Sequence, residues 1–164
     1  MLTSRRAFLL AGSAVAALSA FSLWRPGKVM GTEGEFPFTL SDEQWRARLD
    51  PLAYAVLRQH ETERPFSSPL NEEKRAGGFH CAGCEQLLFS SETKYDSGTG
   101  WPSFWDFVPG AIGTSEDASL GMVRTEVHCS NCGGHQGHVF EDGPPPTGLR
   151  YCINGVPLKF VPAA

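Results

Sequence analysis

The chain has 164 residues, five of them cysteine, and a formal net charge of −4 at neutral pH. That length suits one domain with a real core and is short for two. The acidic balance and the lack of any basic block give no reason to expect nucleic acid or anionic lipid as a partner, and the abundance of Gly (18) and Pro (12) favours turns and short strands over long helices.

Residues 1–23, MLTSRRAFLLAGSAVAALSAFSL, place the pair Arg5-Arg6 before an apolar run diluted by Ala, Gly and Ser. The pattern S-R-R-x-F-L resembles a twin-arginine export signal. Uncleaved, the same run would be a membrane anchor. Either way the domain that follows is expected outside the cytoplasm, in a bacterial periplasm or on the outer face of the inner membrane. Residues 24–40 read as a Pro/Gly linker, and 41–162 as the domain. At its start SDEQWRARLDPLAYAVLRQH is helical in pattern, with Ser41 as N-cap and Asp42 and Glu43 in the first turn. Pro51 must break it, which predicts two short helices. After a polar loop, strands are predicted near Gln86–Ser90, Met122–His128, His138–Phe140, Arg150–Asn154 and Val156–Val161. The fold class is mainly β: antiparallel sheets, short N-terminal helices, and a pair of CxxC turns.

Cys81-x-x-Cys84 and Cys129-x-x-Cys132 carry the strongest chemical signal. Each spacing aims two sulfurs at one point, and two such turns make a closed tetrahedral four-sulfur site of the kind a structural zinc prefers. Such a zinc pins the two turns and contributes about 10–16 kcal/mol to folding. Other readings of the same residues are two disulfides, a redox-active CxxC, a rubredoxin-like iron, or a two-Cys, two-His site using His135 and His138. The last leaves Cys81 and Cys84 without work, so four cysteines are favoured.

Cys152 then stands alone. A free cysteine is most simply a small apolar core residue; with polar neighbours it is a candidate nucleophile. Arg150 and Asn154 flank it on one strand face, and HQGHVF offers His135 and His138, of the residue type suited to proton transfer. In TKYDSGTGWPSFWDF the Gly and Pro residues fix Trp101 as the wall of an apolar pocket, and Trp101 and Phe104 are the candidate substrate-contacting residues. Of the segment's aromatics, Trp101, Phe104, Trp105 and Phe107, several are expected in the core.

The stretches TERPF, DSGTGWPSF, LGMVRTEVHCSNCGGHQGHVFEDGPPPTGLRYCIN and LKF resemble the B-type methionine sulfoxide reductases, which act on the R epimer. The resemblance covers nearly all of Trp45 to Pro162. It implies an antiparallel β fold with zinc on Cys81, Cys84, Cys129 and Cys132, and it makes 41–162 a methionine-R-sulfoxide reductase domain. It further implies Cys152 as the nucleophile toward oxidised proteins, His138 as general acid with His135 assisting, Trp101 against the substrate methyl, and Asn154 arranging the site. Many relatives read DSGCGWPSF, with a resolving cysteine where this chain has Thr99. The sulfenic acid on Cys152 is therefore expected to await an external thiol: a thioredoxin-like protein, a glutaredoxin or a small thiol. Relatives also read CINS where this chain has Gly155, which unsettles the expected geometry around Asn154. The competing functions are a zinc-stabilised binding module without catalysis and a thiol peroxidase or redox sensor.

Overall fold

A computed structural model describes residues 36–164. The signal-like segment 1–23 and linker residues 24–35 lie outside the described residues.

The two expected helices form, and local chemistry explains both. Helix α1, Asp42–Arg48, opens with a capping box: Ser41 Oγ accepts from Gln44 N–H, and Gln44 Oε1 accepts from Ser41 N–H. Helix α2, Pro51–Gln59, begins at the proline expected to break the pattern, where a missing N–H costs nothing. Asp50 caps it by accepting from Leu52 and Ala53 N–H. It ends at His60, in the left-handed region with φ 57°. Ala53, Tyr54, Val56 and Leu57 form its buried face.

Nine strands follow among the described residues: β1 Gly77–Cys81, β2 Leu87–Ser90, β3 Lys94–Tyr95, β4 Ser103–Phe104, β5 Ile112–Asp117, β6 Arg124–Cys129, β7 His135–Phe140, β8 Arg150–Ile153 and β9 Leu158–Pro162. They make a three-stranded sheet, β2-β1-β9, and a six-stranded sheet, β3-β4-β8-β7-β6-β5, antiparallel throughout. The sheets meet through aromatic rings. Phe89 of β2 stacks on Phe104 of β4 with centroids 4.4 Å apart, and Phe79 of β1 meets the same ring edge-on at 5.0 Å. Tyr151, Ile153 and Val127 complete this buried layer.

Strand register positions the site. Directly opposed residues of an antiparallel pair share a face. Ser103 opposes Cys152, Cys152 opposes His138, His138 opposes Glu126, and Glu126 opposes Ser115. These five residues form one row across β4-β8-β7-β6-β5, on the face away from the aromatic core. Phe104, one residue beyond Ser103, takes the opposite face and opposes Tyr151. This corrects the expectation that Phe104 contacts substrate: it is fully buried between Phe79 and Phe89, because strand alternation sends Ser103, not Phe104, toward Cys152.

Candidate active site and four-cysteine centre

Each CxxC pair is a tight turn at the end of a strand, β1 or β6. Glu85 N–H donates to the Cys81 carbonyl and Gly133 N–H to the Cys129 carbonyl, both at 2.8 Å. Glu85 and Gly133 both adopt positive φ, 64° and 67°. The ring of Phe36 lies where a Cβ on Gly133 would be, 2.2 Å away, so glycine is required there. The helices brace both turns. Arg48 donates to the Gly83 carbonyl of the first, and Arg58 to the Cys132 carbonyl of the second.

The four sulfurs converge. Cys81 and Cys132 are 3.7 Å apart, Cys84 and Cys129 3.5 Å, and all four lie within 4.8 Å of one another. A tetrahedron with metal–sulfur bonds of about 2.3 Å has edges of about 3.8 Å, so the donor set fits a four-coordinate thiophilic metal. These separations are far beyond a disulfide bond of about 2.05 Å. The two-Cys, two-His alternative is not assembled: His135 and His138 face other partners. Cys81 also accepts from buried Gln136 Nε2 at 3.5 Å.

The second site lies in the middle of the larger sheet. Cys152 is half-buried in a cleft of about 120 Å³ with Trp101, His138, Asn154, Arg124, Phe140 and Thr62 around it. Burial pushes its thiol pKa up, against the opposing pull of the Thr99 hydroxyl and the Arg150 charge. Burial thus favours the neutral thiol over the thiolate at rest.

His138 reaches Asp117 through Nε2, 2.7 Å from Oδ2. The same carboxylate oxygen takes a 2.6 Å bond from Arg124. Burial holds the imidazole pKa below its ordinary value, opposed by Asp117. Burial also resists ionisation of Asp117, but hydrogen bonds from Ser119 and His138 and the Arg124 charge outweigh it and keep the group a carboxylate. An imidazolium formed at His138 would find its counter-ion in place.

His135 does not line the cleft. It packs behind His138, ring centroids 5.4 Å apart, with Nδ1 2.6 Å from Glu126 Oε1. A bulge makes this neighbourhood. Val127 opposes Gly137 and His128 opposes His135, so Gln136 is extra on β7. Gly137, at φ 155°, passes so close to β8 that a Cβ would lie 2.1 Å from the Cys152 carbonyl oxygen. The extra residue returns His135 to the face of His138, although they are three positions apart. Glu126 accepts further from His60 Nδ1 at 3.0 Å and Ser115 Oγ at 2.6 Å. Burial pushes its pKa up, but the bonds from His135, His60 and Ser115 prevail and hold it low. His60, Glu126 and His135 bring three ligand-type atoms together, and hydrogen bonding alone accounts for the cluster.

Asn154 is buried and fixed at three points: its backbone N–H and Nδ2 donate to the Gln136 carbonyl, and its Oδ1 accepts from Glu63 N–H. Glu63 went unrecognised in the sequence. Its carbonyl accepts from Trp101 Nε1 at 3.2 Å, and its carboxylate accepts from Gly155 and Val156 N–H. One residue thus ties Trp101, Asn154 and the turn after β8 together. Burial pushes its carboxyl pKa up and the two backbone N–H groups pull it back. Asn154 is therefore well held despite Gly155. A Cβ at 155 would lie 1.9 Å from Ser68 Oγ, so glycine suits this packing. Asp117, Glu126 and Gln136 were missed too, because each acts through a partner on another strand.

A family model described as SelR domain matches residues 49–162. The chain is 55% identical over 123 residues to peptide methionine sulfoxide reductase MsrB of Agrobacterium fabrum, covering 74% of this chain and 91% of that protein. It is 58% identical over 121 residues to the MsrB of Pseudomonas putida, covering 73% and 91%. It is 54% identical over 121 residues to the MsrB of Leptospira interrogans, covering 73% and 92%.

Proposed function

The chain belongs to the MsrB family of SelR-domain proteins, and from that premise we propose that it reduces the R epimer of methionine sulfoxide in exported proteins, with Cys152 as nucleophile. The observation that carries this reading is the opposition of Cys152 and His138 across β8 and β7, in a cleft walled by Trp101, while the other four cysteines cluster elsewhere. A peroxidase has no need of a methyl-sized aromatic wall, and a binding module has no need of a lone thiol facing a histidine.

In the proposed reaction the Cys152 thiol gives its proton to His138, the thiolate attacks the sulfoxide sulfur, and His138 passes that proton on to the oxygen. The S–S bond formed on attack and the substrate S–O bond both break as the hydroxyl oxygen bonds to the Cys152 sulfur, so that two electrons pass from the cysteine sulfur to the substrate sulfur and Cys152 becomes a sulfenic acid. Methionine leaves. The resemblance puts Trp101 on the substrate methyl. Asn154, held by Gln136 and Glu63, keeps the cleft in shape.

Two thiols from outside then return Cys152 to the thiol, forming a disulfide between them and releasing water. The external reductant follows from composition: four of the five cysteines are in the cluster, and Thr99 stands beside the fifth. The metal that suits the four thiolates is zinc, holding the fold and taking no part in the chemistry. Export is proposed from the S-R-R-x-F-L pattern.

The test offers both epimers of a blocked methionine sulfoxide with dithiothreitol. Consumption of the R epimer alone, lost in Cys152→Ser, is the expected result. No turnover with the metal retained would leave a binding module. Turnover of hydrogen peroxide in place of sulfoxide would make the protein a thiol peroxidase.

A further inference from the structure

Ser103 opposes Cys152 on the same sheet face and is fully buried. Its hydroxyl oxygen is 2.7 Å from Ser97 Oγ, which is 2.8 Å from Thr99 Oγ1, which is 3.8 Å from Cys152 Sγ. Three hydroxyls thus run in series to the sulfur. The far end has a fixed polarity. Ser103 Oγ donates to the Trp101 carbonyl at 3.1 Å, and a carbonyl only accepts. Each hydroxyl has one hydrogen to give. With that of Ser103 committed to Trp101, Ser97 gives its own to Ser103, and the Ser97 oxygen accepts from Thr99 N–H at 3.4 Å. The Thr99 hydroxyl is the member with two acceptors in reach, Ser97 and the sulfur.

We propose that Thr99 is a catalytic residue: its hydroxyl accepts from the resting Cys152 thiol and turns to donate to the sulfur when the thiolate forms, aimed by the positioning residues Ser97 and Ser103. The proposal deepens the reading of Cys152 as nucleophile and rests on it. A hydrogen bond to the ionised form favours that form. This offsets part of the penalty that burial imposes on the thiolate at this half-buried position. The charged and titratable groups around the sulfur are Arg150 on its own strand, His138 on β7, Arg124 in the cleft, Asp142 through its charge, and the titratable but uncharged Tyr95. Replacing Thr99 alters none of them, so a change in Thr99→Val reports on the hydroxyl.

The measurement is the rate of Cys152 alkylation by iodoacetamide against pH in the full metal-loaded chain, read by mass mapping of the peptide that carries Cys152. Thr99→Val is expected to move the midpoint up by about one pH unit, slowing alkylation about tenfold below it. Thr99→Ser restores the original profile, and Ser97→Ala, which removes the competing acceptor of the Thr99 hydrogen, shifts it the opposite way by less. An unmoved midpoint in a folded Thr99→Val protein overturns the proposal. Should that variant fail to fold, an unmoved midpoint in Ser97→Ala overturns it as well. Alkylation requires no sulfoxide, so this result stands apart from the epimer assay, which decides whether the protein is a reductase at all.

Discussion

The chain uses sulfur in two regions, and the contrast lies in where the backbone puts it. The four clustered cysteines sit on turns at the ends of β1 and β6, where positive-φ residues curl the chain and aim paired sulfurs at a common point. Cys152 sits in the middle of β8, where alternation allows one side chain per two residues on a face and its cross-strand neighbours are Ser103 and His138. Turns gather sulfur into a closed set; a strand isolates it and surrounds it with hydrogen-bonding groups. Gln136 joins the two regions, its side chain donating to Cys81 and its carbonyl accepting from Asn154.

If the first region carries stability and the second chemistry, they should fail separately. The largest effect is expected from removing the metal. Stripping it with a chelator, or replacing a ligand as in Cys132→Ser, forfeits a contribution of about 10–16 kcal/mol, more than the net stability of an ordinary domain. Thermal melts should show an unfolded chain at neutral pH; an unchanged melting curve would break the comparison. Cys152→Ser should do the reverse, abolishing sulfoxide turnover while metal content stays full and stability moves by less than about 1 kcal/mol.

Glu63→Ala sharpens the boundary of the second region. It leaves the Gly155 and Val156 N–H groups without their acceptor, at a cost of about 1–3 kcal/mol. It also loosens the segment that holds Trp101 and Asn154, so KM should rise while the metal is retained. Kinetics and metal analysis of the one variant read both outcomes. A smaller effect is a pH dependence at Glu126. Its folded pKa lies well below the ordinary glutamate value of 4.5, so its contribution is full above that pH and is lost progressively as pH falls from there toward the folded value. Melting temperature should drop between about pH 5 and pH 3, and Glu126→Gln should start lower at neutral pH and show a flatter acid limb.

Much of this contrast was legible in the sequence because it is local. The N-cap Ser41 and the helix-opening Pro51 mark two helices by chemistry within a few residues, and the CxxC spacing declares a four-sulfur site. What escaped depends on distant partners. β1 contains Gly77-Gly78 and β5 reads IGTSED, so neither shows the apolar alternation that marks a strand; their pairing with β9 and β6 makes them so. Phe104 and Ser103 differ by one residue, and only the register with β8 decides which faces Cys152. Glu63 looks like part of a solvated loop until its carboxylate meets Gly155, 92 positions away. The bulge at Gln136 is an insertion relative to a partner strand, invisible along one strand alone.

The central claim is that one sulfur, alone in its region, does the chemistry and waits for an outside thiol. A single turnover without reductant tests it most directly: metal-loaded protein is mixed with the R sulfoxide, treated with dimedone and mapped by mass. One methionine per chain, a dimedone adduct on Cys152 and no intramolecular disulfide are expected. A disulfide joining Cys152 to Cys84 or any other cluster cysteine, with metal released, would contradict it.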